Sequence, residues 1–289
     1  MLIVFNPIAG RRKAALLWRV LDVLVTNGVR LDLMETNYRG HAEALTREAV
    51  ARGETLVVAA GGDGTIAEVA NGLMGSCTGL GVIPLGTANV LAHELNLPFA
   101  PRAVAAALAF GRTEPIWPGI ARQGETSRLF VQMLGAGFDA HVVHTLSLPM
   151  KRLLGRGAYV VQTLRQLNKY GYAPISLRLD GRETQAASVI VSKGRMYGGR
   201  YLLAPDARPN DPGFSVVLFD RTGPGVTLLY GAALPLHRLS RAPGVRHMRA
   251  NRVEFTGNSP VPVQTDGDTA GFTPLMVTDA PGPIQVVVG

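Results

Sequence analysis

The stretch from Leu56 to Glu68 combines an apolar run, a glycine-rich turn and the start of a helical pattern. The run Leu56–Ala60 is uninterrupted, as is typical of a strand buried in a parallel sheet. The turn Gly61-Gly62-Asp63-Gly64 carries one side chain, that of Asp63. A helix beginning near Thr65 would direct free N–H groups back at this turn, which suits phosphate. The stretch is therefore either a tight turn without a ligand or a phosphate cradle whose carboxylate holds magnesium.

Strand and helix patterns alternate with short connections through the first part of the chain. Two further polar turns follow predicted strands, Asn6-Pro7-Ile8-Ala9-Gly10 and Pro84-Leu85-Gly86-Thr87-Ala88-Asn89. This alternation predicts an α/β domain over residues 1–115, with a mostly parallel sheet and helices on both faces. Because such sheets bind ligands at the carboxyl ends of their strands, we expect the three turns to converge.

The character of the sequence changes near Pro115–Pro118, and strand patterns dominate from there. Residues 116–289 are predicted to form a mostly antiparallel β-sandwich domain with one helical insertion around Ala158–Asn168. Asp180-Gly181 predicts a hairpin turn, and the last residues are expected to pack back on the first domain. The predicted strands are Leu129–Met133, Ile175–Leu179, Ala186–Ser192, Phe214–Phe219, Val253–Phe255 and Ile284–Val288.

The formal net charge of +8 lies entirely in the second domain, because residues 1–115 carry ten basic and ten acidic residues. Acidic residues are absent between Asp139 and Asp180, and again from Arg221 to Arg252. Such stretches favour an anionic partner, either nucleic acid or a membrane surface. The arginines lack the interleaved aromatic residues of a single-strand-binding surface, which disfavours nucleic acid. The mixed apolar and basic segment Ser147–Leu154 and the helix after it are suited to lie in the headgroup layer of a membrane. The alternative is that this helix packs with its apolar face on the protein core.

Several classes of protein are disfavoured by what the sequence lacks. It contains no Walker phosphate loop, no zinc-ligand spacing and no nucleophile elbow. Its single cysteine, Cys77, cannot form an internal disulfide. The segment Met1–Phe5 lacks the basic start of a signal peptide, and no apolar run is long enough to span a bilayer. We expect a cytoplasmic protein associated peripherally with the inner face of the cell membrane.

Six motifs follow one another in an order that resembles a known family. Those of the second domain are Gly135-x-Gly137-Phe138-Asp139, Ala204-Pro205-x-Ala207 and Asp266-Gly267-Asp268. Together with the three turns of the first domain, they resemble the diacylglycerol kinase catalytic-domain family, which includes bacterial lipid kinases and the sphingosine and ceramide kinases. The Gly-Gly-Asp-Gly piece alone is shared with NAD kinases and phosphofructokinase-like enzymes, so it indicates only the superfamily.

The resemblance implies an ATP site in the cleft between the domains, with the nucleotide held by the first. Asp63 would hold Mg²⁺, and Thr36 would bound the nucleotide pocket. Thr36 and Asn89 have a simpler interpretation as helix or turn caps. The residues implied in nucleotide binding are Asn6, Pro7, Ala9, Gly10, Arg11, Thr36, Gly61, Gly62, Asp63, Gly64, Thr65, Glu68, Thr87 and Asn89.

In the second domain the resemblance implies that Asp266 is the general base for the lipid hydroxyl. Asp268 stands where the family pattern has Glu, and its shorter side chain would have to reach the metal or nucleotide. A β-turn without a catalytic role is the alternative for both residues. Asp139 is expected near the acceptor or as a turn cap. Asp211 is the candidate ligand of a second, structural magnesium site, with Pro212 where the family pattern has an acid.

These features predict an ATP- and magnesium-dependent lipid kinase acting at an anionic membrane surface. Diacylglycerol is the default acceptor, and ceramide or a sphingoid base is a close competitor. The alternatives are an NAD kinase-like enzyme with a soluble acceptor and a non-catalytic lipid-binding protein. A homodimer is left open alongside a monomer.

Overall fold

The computed structural model describes residues 1–10, 14–147, 150, 156–257 and 259–289. This part of the chain divides into two compact units. Unit 1 comprises Met1–Pro118 and Ala280–Gly289, and unit 2 comprises Gly119–Asp279. The end of the chain therefore belongs to the unit in which the chain begins.

Unit 1 is an α/β unit built on one six-stranded sheet. Its strands are β1 Leu2–Phe5, β2 Asp32–Glu35, β3 Leu56–Gly61, β4 Gly79–Pro84, β5 Arg112–Ile116 and β20 Ile284–Val288. Its helices are α1 Pro7–Gly10, α2 Ala14–Thr26, α3 His41–Ala51, α4 Asp63–Leu73, α5 Val90–Glu94 and α6 Pro101–Phe110. The strand order is β2-β1-β3-β4-β20-β5, parallel throughout except for the pairing of β20 with the edge strand β5.

The core of unit 1 lies between the sheet and the helices α2 and α6. Ile3, Val58 and Ile83 from three neighbouring strands belong to one buried cluster with Leu17 of α2 and Leu108 of α6. Helices α3 and α4 pack on each other. Helix α3 also packs on β1, and helix α4 packs on β3 and β4. Because β1, β3 and β4 are buried along their whole length, their sequences are continuously apolar. These strands are parallel neighbours, so the turns that follow them lie at the same edge of the sheet.

Unit 2 contains two six-stranded sheets, a short hairpin, three described α-helices and a 3₁₀ helix at Leu239–Arg241. The first sheet consists of β6 Gly119–Gln123, β7 Thr126–Phe130, β9 Ile175–Leu179, β10 Arg182–Ala186, β16 Arg252–Phe255 and β19 Leu275–Asp279. The second consists of β8 Met133–Ala136, β11 Ser188–Ser192, β14 Phe214–Phe219, β15 Val245–Ala250, β17 Pro262–Thr265 and β18 Asp268–Phe272. The hairpin is β12 Met196–Tyr197 with β13 Tyr201–Leu202, and the helices are α7 Phe138–Thr145, α8 Arg156–Gln166 and α9 Pro224–Ala233.

The two sheets of unit 2 form a sandwich around one apolar core. Phe130 and Val253 of the first sheet belong to the same buried cluster as Phe214, Val216 and Val263 of the second. Neighbouring strands in both sheets are antiparallel, in the orders β10-β9-β16-β19-β6-β7 and β15-β14-β11-β8-β17-β18. The antiparallel pairing lets strands such as β9 alternate buried and more exposed side chains.

The predicted fold class is confirmed for both parts of the chain. The Asp180-Gly181 hairpin joins β9 to β10, with both residues at positive φ. The predicted strand Leu129–Met133 is wrong as a single element, because β7 ends at Phe130 and β8 begins at Met133. Helices α7 and α9 were not predicted. None of the described helices is both long and apolar enough to cross a bilayer.

Candidate active site

Two glycine-containing turns are in direct contact in unit 1. The first joins β3 to α4, and the second follows β4. Backbone N–H groups of Leu85 and Gly86 both donate to the carbonyl of Gly61, at 2.9 and 3.1 Å. A Cβ atom on Gly62 would lie 3.2 Å from the Cα of Gly86, and one on Gly86 would come closer still to Gly62. The turns approach this closely because neither glycine has a side chain.

Asp63 lies in the first turn of α4, half-buried where the two turns meet. Its Oδ1 accepts a hydrogen bond from the backbone N–H of Val90, at 2.6 Å. Burial raises the pKa of Asp63 above its usual 3.8, and backbone hydrogen bonds from Val90 and Asn89 oppose that rise. A desolvated carboxylate at a helix start is a group that a divalent cation would stabilise.

Asn89 adds an unsatisfied oxygen at the second turn. Its Nδ2 donates to the carbonyls of Gly86 at 2.9 Å and Pro84 at 3.4 Å. Its Oδ1 is buried and has no hydrogen-bond partner in the described part of the chain. The residue sits in the left-handed region with φ 49° and makes no side-chain cap to α5. Carboxylate and amide oxygens are ligands that Mg²⁺ prefers, so Asp63 and Asn89 fit a magnesium–phosphate group. Thr87 is exposed in the same turn.

The turn after β1 reaches the glycine turn through Asn6. Its Nδ2 donates to Oγ1 of Thr65, at 3.1 Å. Its Oδ1 accepts the N–H groups of Ile8 and Ala9, at 3.0 and 3.2 Å, within the short helix α1 that spans Pro7–Gly10. The structure thus brings the first turn to the other two. Arg11, the neighbouring predicted residue, lies outside the described residues, as does most of the segment Ser147–Leu154.

Glu68 and Thr36 make contacts that hold unit 1 together. The carboxylate of Glu68 accepts the N–H of Gly40 at 2.9 Å and that of Ala42 at 3.2 Å, so α4 caps the start of α3. Thr36 extends the pairing of β2, with its N–H bonded to the carbonyl of Phe5 at 2.8 Å. Their nucleotide contacts stay predictions.

Asp139 is the centre of a buried hydrogen-bond network in unit 2. Its Oδ1 accepts a short hydrogen bond from the hydroxyl of Tyr197, and its Oδ2 accepts one from Nε2 of Gln264 at 2.9 Å. Burial raises the pKa of Asp139, and these two hydrogen bonds oppose that rise. Burial, and then the neighbouring Asp139, raise the pKa of Tyr197 well above 10.0. Asp139 is therefore a half-buried group whose two carboxylate oxygens each accept a hydrogen bond from another side chain of unit 2.

Gln264 connects this network to the motif that carries the predicted base. Its Oε1 accepts the N–H of Gly267, at 2.8 Å. Asp266 and Gly267 are the two loop residues of the β17–β18 hairpin, with φ 49° and 84°, the geometry of a tight type I′ turn. The buried polar residues Gln264 and Thr265, which follow Pro262 and Val263 in the strand before Asp266, are a signal that the sequence offered; Tyr197 had none.

The carboxylate of Asp266 is directed at the bend between β7 and β8. Its Oδ2 accepts the N–H of Val131 at 2.8 Å, and its Oδ1 accepts those of Gln132 and Met133 at 2.9 and 3.0 Å. This is why the predicted strand through these residues is broken: the carboxylate takes N–H groups that a continuous strand would use. Asp268 lies 3.6 Å from the guanidinium of Arg128. The catalytic roles of Asp266 and Asp268 stay predictions.

The loop around Asp211 is occupied by the ammonium group of Lys193. Lys193 Nζ donates to the carbonyls of Asp211 at 3.2 Å and Gly213 at 2.8 Å, and to Oδ1 of Asp279 at 2.8 Å. Burial lowers the pKa of Lys193, while the Asp279 carboxylate opposes that change. In the described part of the chain, no group of three or more His, Cys, Asp or Glu side chains could hold a metal ion. Lys193 therefore already engages the oxygens of this loop, and magnesium binding by Asp211 stays a prediction.

Gly135 makes room for the Asp139 network. A Cβ at this position would lie 2.8 Å from Nε2 of Gln264 and closer to Oδ2 of Asp139. We expect Gly135→Ala to lower the free energy of unfolding by about 1–3 kcal/mol, because the buried partners cannot move apart freely. Urea denaturation measures the change. Gly171→Ala is the matched control, since a Cβ there meets nothing within 4 Å; equal midpoints for the two variants would contradict the prediction.

Comparison with known proteins matches both parts of the chain. A family model for the diacylglycerol kinase catalytic domain matches residues 1–119, and one for the YegS C-terminal NAD kinase beta sandwich-like domain matches residues 132–288. A Pseudomonas putida protein described as a probable YegS-like lipid kinase is 34% identical over 189 residues, which cover 64% of this chain and 62% of that protein. The Bacillus subtilis diacylglycerol kinase is 27% identical over 281 residues, which cover 94% and 90%.

A solved structure shares the fold over the whole chain. The crystal structure described as a diacylglycerol kinase from Bacillus anthracis superposes with a TM-score of 0.74 at 20% identity, covering 100% of this chain and 96% of that one. At this identity the likeness shows the fold alone.

Proposed function

Because this chain belongs to the diacylglycerol kinase catalytic-domain family of lipid kinases, we propose that it transfers the γ-phosphoryl group of ATP to a hydroxyl group of a membrane lipid. Diacylglycerol is the proposed default acceptor, and ceramide or a sphingoid base is the closest competitor. The observation that carries the proposal is the meeting of the two glycine turns around the half-buried Asp63 carboxylate and the buried Oδ1 of Asn89, which has no hydrogen-bond partner among the described residues.

Unit 1 is the proposed nucleotide-binding part. The N-terminal N–H groups of α4 face the turn and can bind phosphate oxygens. Asp63 and Asn89 would hold Mg²⁺, which when bound neutralises the phosphate charge that develops during transfer. Asn6 orients the hydroxyl of Thr65 toward the same turn.

Unit 2 is the proposed acceptor side. Asp266 would take the proton of the lipid hydroxyl. For this, its carboxylate must use a lone pair other than those that accept the backbone N–H groups of Val131, Gln132 and Met133. The three backbone N–H groups fix the position of the carboxylate, as a general base needs. Asp139 would act on the same turn through Gln264 rather than on the substrate.

A phosphorylation assay with a panel of acceptors tests the proposal. The protein is incubated with γ-labelled ATP, Mg²⁺ and mixed micelles that contain a diacylglycerol, a ceramide or a sphingoid base, and separately with NAD. We expect label in a lipid, with diacylglycerol labelled fastest. Label in NAD alone would identify a kinase of a soluble acceptor. No label in any acceptor would leave the lipid-binding alternative.

The proposed membrane contact is helix α9. None of its residues is buried, and Leu228 and Leu229 are 48% and 51% exposed. Leu236, just beyond the helix, is 65% exposed. Helix α9 packs through Tyr230 and Ala233 on a buried cluster of unit 2, and its exposed leucines leave an apolar surface of the kind that contacts another apolar phase.

The charges around α9 favour an anionic membrane as that phase. No charged residue occurs from Thr222 to Leu236, while Arg221 precedes this segment and Arg238 and Arg241 follow it. Leucines can enter the acyl boundary while flanking arginines bind lipid headgroups. The exposed Val160 and Leu164 of α8 are a second apolar pair in the same unit.

Substitution of the exposed leucines tests this contact. We expect Leu228→Ser combined with Leu229→Ser to weaken binding to vesicles with anionic lipid by about tenfold, because two partly inserted side chains are lost. Vesicle co-sedimentation measures the binding. The control is Val25→Ser on α2, where Val25 is 59% exposed in unit 1. If the double variant and the control bind equally, α9 is not the contact.

A further inference from the structure

Lys193 is among the most buried side chains of the protein although it carries a charge. It follows β11, and its side chain is 0% exposed. Its ammonium group has three N–H donors and three oxygen acceptors: two backbone carbonyls of the loop before β14 and the carboxylate of Asp279. The ring of Phe214 lies 4.8 Å from Nζ and closes another side.

The loop directs three consecutive carbonyl groups at cations of the protein itself. Those of Asp211 and Gly213 accept Lys193 Nζ, and that of Pro212 accepts Nη2 of Arg249 at 2.8 Å. The carboxylate of Asp279 closes the ring of contacts, because its second oxygen accepts the N–H of Gly213 at 2.6 Å.

Two carbonyls and a carboxylate around one buried positive charge form the kind of oxygen set that hard cations take in proteins. We propose that the ammonium group of Lys193 is a built-in cation of the 211–213 loop, in the position where a divalent metal ion would otherwise hold these oxygens. The loop and the end of β19 then keep their arrangement without a bound metal. This inference does not depend on the proposed kinase activity.

Removal of the ammonium group should convert this position into a metal-dependent one. In Lys193→Ala, Asp279 and the loop carbonyls lose their cation, and we expect the thermal midpoint in chelator to fall by roughly 5–15 °C. Calcium at about ten times its Kd should then restore about 3 °C or more. The unchanged Lys193 protein should show no such response. All variants carry Asp63→Asn, so that a cation bound at the glycine turn does not contribute to the thermal midpoint or to its response to calcium.

Two further variants make the result specific. Lys169→Ala removes an exposed lysine of the same unit and should change neither the midpoint nor its response to calcium. Adding Asp279→Asn to Lys193→Ala should abolish the response, because the anionic ligand is lost. Calorimetric titration with calcium gives an independent measure of binding.

Two outcomes would overturn the proposal. One is a Lys193→Ala protein that is destabilised but gains no calcium response. The other is a calcium-dependent rise of the midpoint in the protein that retains Lys193, abolished by Asp279→Asn. The calcium response of the protein that retains Lys193 tests the proposal even if the Lys193→Ala variant does not fold.

Discussion

Asp63→Asn should lower kcat/KM for phosphoryl transfer by about a hundredfold to a thousandfold while leaving the protein folded. The substitution keeps an oxygen that can accept the N–H of Val90 but removes the negative charge at the start of α4. Without that charge the metal and phosphates lose a fixed ligand that acts in a desolvated position. Initial rates at varied ATP and Mg²⁺ measure the loss.

The pKa direction predicts how Asp63→Asn affects stability. Burial raises the pKa of Asp63 in the folded protein above 3.8. A carboxyl group of this kind favours the folded state most when it is protonated, below its unfolded pKa, and this contribution is lost as the pH rises through the folded pKa. At neutral pH the charged group therefore opposes folding. We expect the variant to be at least as stable as the original protein at pH 7, as measured by urea denaturation.

The matched control for this pair of measurements is Asp22→Asn, which removes an exposed carboxylate of α2. It should change neither kcat/KM nor the unfolding midpoint appreciably. Full activity of Asp63→Asn would remove Asp63 from the metal site. A large loss of stability would instead show that its charge is structural.

Asp266→Asn should lower kcat by about a hundredfold to ten-thousandfold and also destabilise unit 2. The loss of a general base accounts for the first effect. The second follows because an amide nitrogen would face one of the N–H groups of Val131, Gln132 and Met133 that the carboxylate now accepts. An unsatisfied buried donor costs about 1–3 kcal/mol. Single-turnover rates and urea denaturation measure the two effects separately.

A second variant separates chemistry from turn structure. Gly267→Ala strains the same turn, since Gly267 has φ 84°, but it leaves the Asp266 carboxylate in place. If Asp266 is the base, Gly267→Ala loses stability with a much smaller fall in kcat. Equal losses of kcat in both variants would indicate a purely structural role.

The pattern of apolar residues along the chain correctly predicted those strands whose formation depends mainly on their own sequence. Leu2–Phe5, Ile175–Leu179, Phe214–Phe219 and Ile284–Val288 are strands with the predicted bounds, because continuous or alternating apolar residues need only a sheet face to bury them. Helix α9 was missed because its sequence is apolar on both its packed and its exposed sides: Tyr230 and Ala233 pack on a buried cluster, whereas Leu228 and Leu229 are exposed. The break after Phe130 was missed because its cause, the Asp266 carboxylate, lies far away along the chain.

The three turns of unit 1 show how far motif reasoning reaches. Their position after parallel strands follows from the sequence, and so does their meeting at one edge of the sheet. The role of each polar side chain there does not. The nucleotide contact of Glu68 stays a prediction, and only the structure shows that its carboxylate caps α3 through the N–H groups of Gly40 and Ala42. A motif specifies the residue type, whereas its hydrogen-bond partner depends on which element packs beside it.

The amino-acid sequence was enough to predict the two fold classes, several strands along the chain and the glycine turn that carries Asp63. These follow from side-chain periodicity and from backbone angles that glycine permits. Only the tertiary structure decided what the buried charges contact: Asp139 with Tyr197, Asp266 with the 131–133 backbone, and Lys193 with Asp279. A desolvated charge must be satisfied by whichever polar groups packing brings to it, and those groups come from strands distant in the chain.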